Sequence, residues 1–264
     1  MVDVLTLGID VGSATSKCVI LKNGAELIAS SLISAGTGTS GPQRALTAAL
    51  ERPGVSRERL AALTATGYGR NSFDGADYVV SELSCHAIGA AALMPGVRTV
   101  VDIGGQDAKV LRVSPEGKLE SFLMNDKCAA GTGRFLEVMA RILELDVSEL
   151  AEMDEKATGK VNISSTCTVF AESEVISQLA KNVDLHDLVA GIHASVAVRT
   201  AGLARRLGVT EPVGMTGGVA QNAGVVRALE KELGVRIEVS PLAQLAGAYG
   251  AAVYGWNKTG RDSD

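Results

Sequence analysis

A short pattern occurs twice in this chain, near ninety residues apart, and it constrains the fold more than anything else in the sequence. Leu7-Gly8-Ile9-Asp10-Val11-Gly12 and Val100-Val101-Asp102-Ile103-Gly104-Gly105 each present a strand, then Asp, an apolar residue and Gly. Each also leads into a β-hairpin. Val4–Asp10 runs through a Gly- and hydroxyl-rich tip into Ser16–Leu21, and a turn at Lys22-Asn23-Gly24 leads to Ala25–Ile33. Arg98–Ile103 likewise leads through Gly104-Gly105-Gln106-Asp107 into Ala108–Val113 and then Leu119–Met124. The spacing is too long for a solenoid and suits two related lobes.

Between and after the repeats, helical spacing of apolar residues predicts helices at Pro42–Leu50, Ser81–Leu93, Thr132–Leu143, Thr168–Ala180, Asp187–Leu207, Val225–Leu233 and Leu245–Tyr254. Further strands are expected at Leu60–Thr66, Val213–Thr216 and Arg236–Val239. Strands alternating with helices give an α/β class, and the hairpins make its sheets mixed. The expected lobes are 1–95 with 242–264, and 96–241.

A nucleotide phosphate needs backbone amides, small residues that allow close approach, and a metal to offset charge. The tips offer the first two. Asp10 and Asp102, at the strand ends, can hold Mg²⁺ through waters, and Ser13, Thr15, Ser16 and Lys17 add donors around the first tip. A third Gly-rich element, Met215 to Asn222 with Gly217-Gly218 inside it, follows a strand and precedes a helix, a place for adenine or ribose. Neither the P-loop Gly-Lys-Ser/Thr nor a Gly-x-Gly-x-x-Gly opening a helix is present. One tip alone would read as a tight turn that needs glycine; two matching Asp-bearing tips and a third Gly-Gly turn point to a nucleotide.

Composition closes off other classes. Lys and Arg number 25 against 30 Asp and Glu, so the clustered basic charge of a nucleic-acid binder is not expected. No apolar run approaches the ~20 residues that span a bilayer, and the first residues lack a secretory signal's basic opening. A reducing compartment is therefore expected, and the four cysteines are read singly rather than as disulfides. Cys18 lies in a strand and Cys85 beside His86 in an Ala-rich helix, both as core packing. His186 and His193 read as surface or internally satisfied residues. Cys128 and Cys167 each precede a helix, where the dipole and first amides favour a thiolate. Position leaves two readings for this pair: buried small hydrophobes, or half of the four thiolates of a cubane cluster, completed by a second copy.

The three Gly-rich elements resemble the phosphate-1, phosphate-2 and adenosine segments of the actin, sugar kinase and Hsp70 superfamily, which implies two ribonuclease-H-like lobes closing on ATP. A narrower resemblance rests on six segments. They are Leu7 to Ser13, Ala65-Thr66-Gly67-Tyr68-Gly69-Arg70, Ser81 to His86, Asp102 to Asp107, Asn125-Asp126-Lys127-Cys128-Ala129-Ala130-Gly131-Thr132-Gly133 and Ser165 to Glu174. Together they resemble the activators (component A) of 2-hydroxyacyl-CoA dehydratases, in the BadF/BadG/BcrA/BcrD-type ATPase family. The resemblance runs from the first strand to Gly250. It implies a homodimeric ATPase using ATP/ADP and Mg²⁺, with one [4Fe-4S] cluster between subunits ligated by Cys128 and Cys167. It implies that Asp10, Asp102 and Gln106 serve hydrolysis, and that Gly12, Ser13, Ala14, Thr15, Ser16, Lys17, Gly104, Gly105, Gln106, Asp107, Gly217, Gly218, Val219 and Gln244 contact the nucleotide. It further implies ferredoxin or flavodoxin as electron donor, a 2-hydroxyacyl-CoA dehydratase (component D) as acceptor, and the cytoplasm of an anaerobe. The neighbouring readings are a benzoyl-CoA-reductase-type subunit, a double-cubane reductase activator, a small-molecule kinase of the superfamily, or a nucleotide-dependent scaffold.

Overall fold

The computed structural model describes residues 3–164 and 167–260. Ser165 and Thr166, which open the last of the six segments, lie outside the described residues. The elements in chain order are β1 (Leu5–Val11), β2 (Ser16–Lys22), β3 (Glu26–Ile33), α1 (Gly41–Glu51), β4 (Leu60–Thr66), β5 (Tyr78–Val79), α2 (Glu82–Leu93), β6 (Thr99–Ile103), β7 (Ala108–Val113), β8 (Leu119–Asn125), α3 (Gly133–Ile142), α4 (Leu150–Glu155), α5 (Thr168–Ala180), α6 (Leu185–Leu207), β9 (Val213–Thr216), α7 (Ala223–Leu233), β10 (Ile237–Glu238) and α8 (Ala246–Lys258). Among the described residues no helix is long and apolar enough to cross a membrane.

The chain divides into two compact units. The first holds the residues up to Gly96, Val113–Glu120 and those from Pro241; the second holds Val97–Arg112 and Ser121–Ser240. The two sheets have one topology. The first runs β3-β2-β1-β4-β5 and the second β8-β7-β6-β9-β10, so each strand of one has a counterpart in the other. In both, the hairpin pairs are antiparallel, and the central strand pairs in parallel with the strand that follows a helical crossover.

β1 shows why its sequence is apolar almost throughout: from Thr6 on, its residues are buried on both faces. Leu7, Ile9 and Val11 pack with Cys18 and Ile20 of β2 and with Ala45 and Ala49 of α1. The opposite face, with Val19 and Leu21, meets Ala248 and Ala252 of α8. The helix comes so near that a Cβ on Gly8 would stand 2.0 Å from the Ala248 carbonyl oxygen. α2 and α8 touch through glycine as well: a Cβ on Gly89 would lie 1.9 Å from the Ala246 oxygen, and one on Gly250 1.9 Å from the Cys85 oxygen. Close backbone approach of this kind is one use of the chain's 30 glycines.

In the second unit α6 is the long central helix, its Asp184 cap accepting from the His186 and Asp187 amides. α4 and α7 pack against α6, and α3 packs against α5.

Candidate functional site

Each hairpin tip is a four-residue turn closed in the same way. The Gly12 amide donates to the Thr15 carbonyl at 3.0 Å, and the Gly104 amide to the Asp107 carbonyl at 2.9 Å. The closures leave Ser13-Ala14 and Gly105-Gln106 at the apices, with Ala14 and Gln106 exposed. Beneath each tip stands a carboxylate opposite a lysine on the paired strand: Asp10 faces Lys17, and Asp102 faces Lys109. Lys17 Nζ is 3.1 Å from Asp10 Oδ2, and 3.8 Å from where a Cβ on Gly12 would stand, so the ammonium lies under the first tip.

Asp102 is held more fully. It accepts from Lys109 Nζ at 3.2 Å and from the Thr216 hydroxyl at 2.7 Å. Lys109 also meets Asp107 Oδ2 at 2.7 Å and is only 2% exposed. Thr216 lies beside Asp102 in register, as Thr66 lies beside Asp10. A left-handed glycine follows each threonine, Gly67 at φ +90° and Gly217 at φ +87°. A Cβ on Gly217 would lie 2.3 Å from the Ile103 oxygen, so this turn needs glycine for conformation and for space. The duplicated unit is therefore Asp, a lysine seven residues on, and Thr-Gly on the neighbouring strand. Sequence reading found the Asp and Gly and held both threonines within its motifs without giving them a role, but missed Lys109, although the Asp-to-Lys spacing recurs in the sequence.

Of the remaining expected nucleotide residues, Gly218 and Val219 begin the short turn Gly218–Gln221 after β9. Its end is capped by Asn222, whose side chain accepts from the Val225 amide to start α7. Gln244 lies in the short turn Ala243–Leu245 ahead of α8, in the first unit.

All four cysteines are free thiols, and they divide cleanly. Cys18 and Cys85 are buried. Burial pushes the Cys18 thiol far above the ordinary cysteine range and the Cys85 thiol up to about 12, so both are inert packing. Cys128 and Cys167 are exposed, which removes the buried-hydrophobe reading for them. Cys167 is the N-cap residue of α5, as the sequence implied. Cys128 differs from expectation. It lies four residues ahead of the α3 cap Thr132, whose hydroxyl turns back to the Ala129 carbonyl at 2.6 Å. The first amides of α3 are also already engaged: Gly133 donates to the Gly104 carbonyl at 2.9 Å and Arg134 to the Gly105 carbonyl at 2.8 Å. The second tip thus caps the helix that follows Cys128. Among the described residues no three His, Cys, Asp or Glu side chains converge to hold a metal.

His186 stays near the surface beside Asp184 at 3.1 Å. His193 is fully buried, with Nε2 3.2 Å from Asn222 Nδ2 and Nδ1 3.7 Å from Asp154.

Comparison with known proteins agrees with this architecture. The chain is 60% identical over 259 residues to the (R)-2-hydroxyglutaryl-CoA dehydratase activating ATPase of Acidaminococcus fermentans, covering 98% of this chain and 99% of that one. It superposes with TM-score 0.95 and 53% identity on the activator of the 2-hydroxyisocaproyl-CoA dehydratase from Clostridium difficile, solved with bound ADPNP; 98% of this chain and 96% of that one are covered. A glucokinase of the ROK family from Streptomyces griseus, 15% identical, shares the fold at TM-score 0.57 over 94% of this chain and 98% of that one. The α/β fold, with two mixed five-stranded sheets, is thus shared with that glucokinase. The profile of the BadF/BadG/BcrA/BcrD ATPase family matches residues 7–255, nearly the whole length over which the paired tips and exposed cysteines are laid out, and the chain belongs to that ATPase family.

Proposed function

We propose that this chain is the activating ATPase of a 2-hydroxyacyl-CoA dehydratase, coupling ATP hydrolysis to one-electron transfer. The observation that carries the reading is the pair of hydrogen bonds from Gly133 and Arg134 to Gly104 and Gly105. They make the tip expected to hold phosphate the cap of the helix behind Cys128, so a ligand on the tip acts on that helix within one unit. The names of the close relatives support the choice of partner.

In this reading the tip amides at 13–15 and 105–107 bind the phosphates, with Lys17 offsetting charge at the first tip. Asp10 and Asp102 would hold Mg²⁺ through waters, where the ion would offset phosphate charge, and Gln106, exposed at the second apex, would serve hydrolysis. Gly217, Gly218 and Val219 take the adenosine, and Gln244 is a further nucleotide contact. Lys109 and Thr216 hold the Asp102 carboxylate in place.

Cys128 and Cys167 fit a cluster as half of its ligands: both are exposed thiols on one unit, at the entrance of α3 and the cap of α5. Two copies would supply four thiolates to one [4Fe-4S] cluster. When bound, the cluster supplies a low-potential one-electron donor. The exposed apolar side chains of α5, Val169 at 66% and Phe170 at 69%, support burial of this face by a second copy. Ferredoxin or flavodoxin is the electron source in this reading.

The test is anoxic purification or reconstitution of the wild-type chain and Cys128→Ser. The wild type should be dimeric and carry iron, sulfide and ATP-dependent electron transfer to a dehydratase. The variant should lose iron and transfer while keeping nucleotide affinity. Unchanged iron content in the variant would remove the ligand assignment.

A further inference from the structure

Arg199 lies on α6, outside every motif noted in the sequence, yet it reaches the turn between Cys128 and α3. Its Cβ and Cδ are both 3.5 Å from where a Cβ on Gly131 would stand, so the aliphatic stem closes over that turn. Gly131 has φ +88°, a conformation that disfavours other residues and keeps the turn free of a side chain. The guanidinium is fixed at its far end. Nη1 donates to the Ser195 carbonyl at 3.1 Å and to the Ser195 hydroxyl. Its central carbon stands 5.5 Å from the ring centroid of Phe135, a buried residue of α3. Burial lowers the Arg199 pKa, and the nearby Cys128 sulfur acts in the opposite direction. Arginine nevertheless keeps its charge in proteins.

We propose that Arg199 is a positioning residue for the metal centre: its stem braces the turn from Cys128 to Gly133, and its fixed positive charge opposes the negative charge of the Cys128 ligand. This rests on the cluster reading above. Reduction adds one negative charge to a thiolate-ligated cluster, so a nearby fixed cation favours the reduced form and raises the potential. The Ser195 and Phe135 contacts keep that cation in place. Lysine would retain the charge but lose the planar fork and the stacking.

The experiment uses the full-length wild type, R199M, R199Q and R199K, each reconstituted anoxically with ferrous iron and sulfide. Iron, labile sulfide and melting temperature are measured, and the midpoint potential is followed by electron paramagnetic resonance. R199M should load iron and become about tenfold harder to reduce, ~59 mV more negative for one electron. R199Q, which retains hydrogen-bonding groups toward Ser195, should show the same shift and stands in should R199M fail to fold. R199K should recover most of the potential. Wild-type iron with unchanged potential in R199M or R199Q overturns the role of Arg199 while leaving the cluster in place. A wild-type chain that takes up no iron overturns the cluster reading and this inference together.

Discussion

The amide of Arg134 donates to the carbonyl of Gly105 at 2.8 Å, joining the second hairpin tip to the first turn of α3. Helix N-termini leave their first amides without intrahelical partners, and side chains or water usually take them. Here the Gly133 and Arg134 amides go to backbone on the tip itself. A change in tip geometry on nucleotide binding must therefore either carry α3 with it or break two hydrogen bonds, each worth about 0.5–1.5 kcal/mol net.

Gly133→Ala tests that link. An added Cβ would stand 3.2 Å from the Gly104 oxygen and 3.4 Å from Gly105 Cα, so tip and helix would have to separate by a few tenths of an ångström. The expected protein folds and binds ATP close to wild type but no longer transmits the nucleotide state to α3. Hydrogen exchange is the readout: an ATP analogue should alter protection of the α3 amides in the wild type and leave them unaltered in the variant. Equal responses in both proteins would show that the signal bypasses this contact.

The cysteines should separate by reactivity. In metal-free protein, iodoacetamide should label Cys128 and Cys167 well before Cys18 and Cys85, which are buried with raised thiol pKa values. Peptide mass spectrometry against time gives the order. Early labelling of Cys85 in folded protein would contradict its place beneath the α2–α8 contact.

Sequence reading and structure agree wherever one local rule dominates. β4, β7, β9 and α5 lie at the expected residues, because each is an apolar run or helical face bounded by a turn. α7 begins at Ala223 rather than Val225, since the Asn222 side chain caps it there, and α8 continues past Tyr254 to Lys258. β5 has two residues, and α4 is the six-residue run Leu-Ala-Glu-Met-Asp-Glu; neither is long enough to carry a period. The site was half legible. Asp10 and Asp102 stand out because each recurs two residues ahead of a glycine. Lys109 reads as an ordinary strand lysine until β7 folds back and buries it against Asp102, and Arg199 meets the turn at Gly131 only through tertiary packing.

Lys109→Met should therefore be costly. It would leave the buried Asp102 with the Thr216 hydroxyl but without its ammonium partner, and would free the partly exposed Asp107. Removing one partner of a buried ion pair destabilises by about 3–5 kcal/mol. Urea unfolding should show the loss, together with raised Mg²⁺ demand in ATP hydrolysis. The double variant with Asp102→Asn should regain much of the stability while remaining inactive. A single variant as stable as wild type would mean that Asp102 is neutral in the folded protein.

Acid stability should depend on Asp154 of α4. Burial pushes its carboxyl up, but the His193 ring 3.7 Å away and the hydrogen-bonded Arg227 guanidinium outweigh this and hold it below the ordinary aspartate value. Arg227 Nη2 is 2.9 Å from Asp154 Oδ2, and Nη1 is 3.0 Å from Glu155, so α7 is tied to α4 while His193 of α6 lies behind. A Cβ on Gly224 would come 2.4 Å from His193 Nδ1 and 2.9 Å from Asp154 Oδ2, so this corner tolerates no larger residue. A carboxyl with a depressed folded pKa stabilises in full above its unfolded pKa, about 3.9 for aspartate, and loses that contribution as pH falls through the lower folded value. Urea midpoints between pH 7 and pH 3 should drop steeply in the acid limb for the wild type. Asp154→Asn should be weaker at pH 7, because Arg227 and His193 lose their anion, and should show a flatter limb below about pH 4. If both proteins lose stability in parallel over that range, other carboxylates govern acid unfolding and the α4–α6–α7 corner contributes no proton linkage.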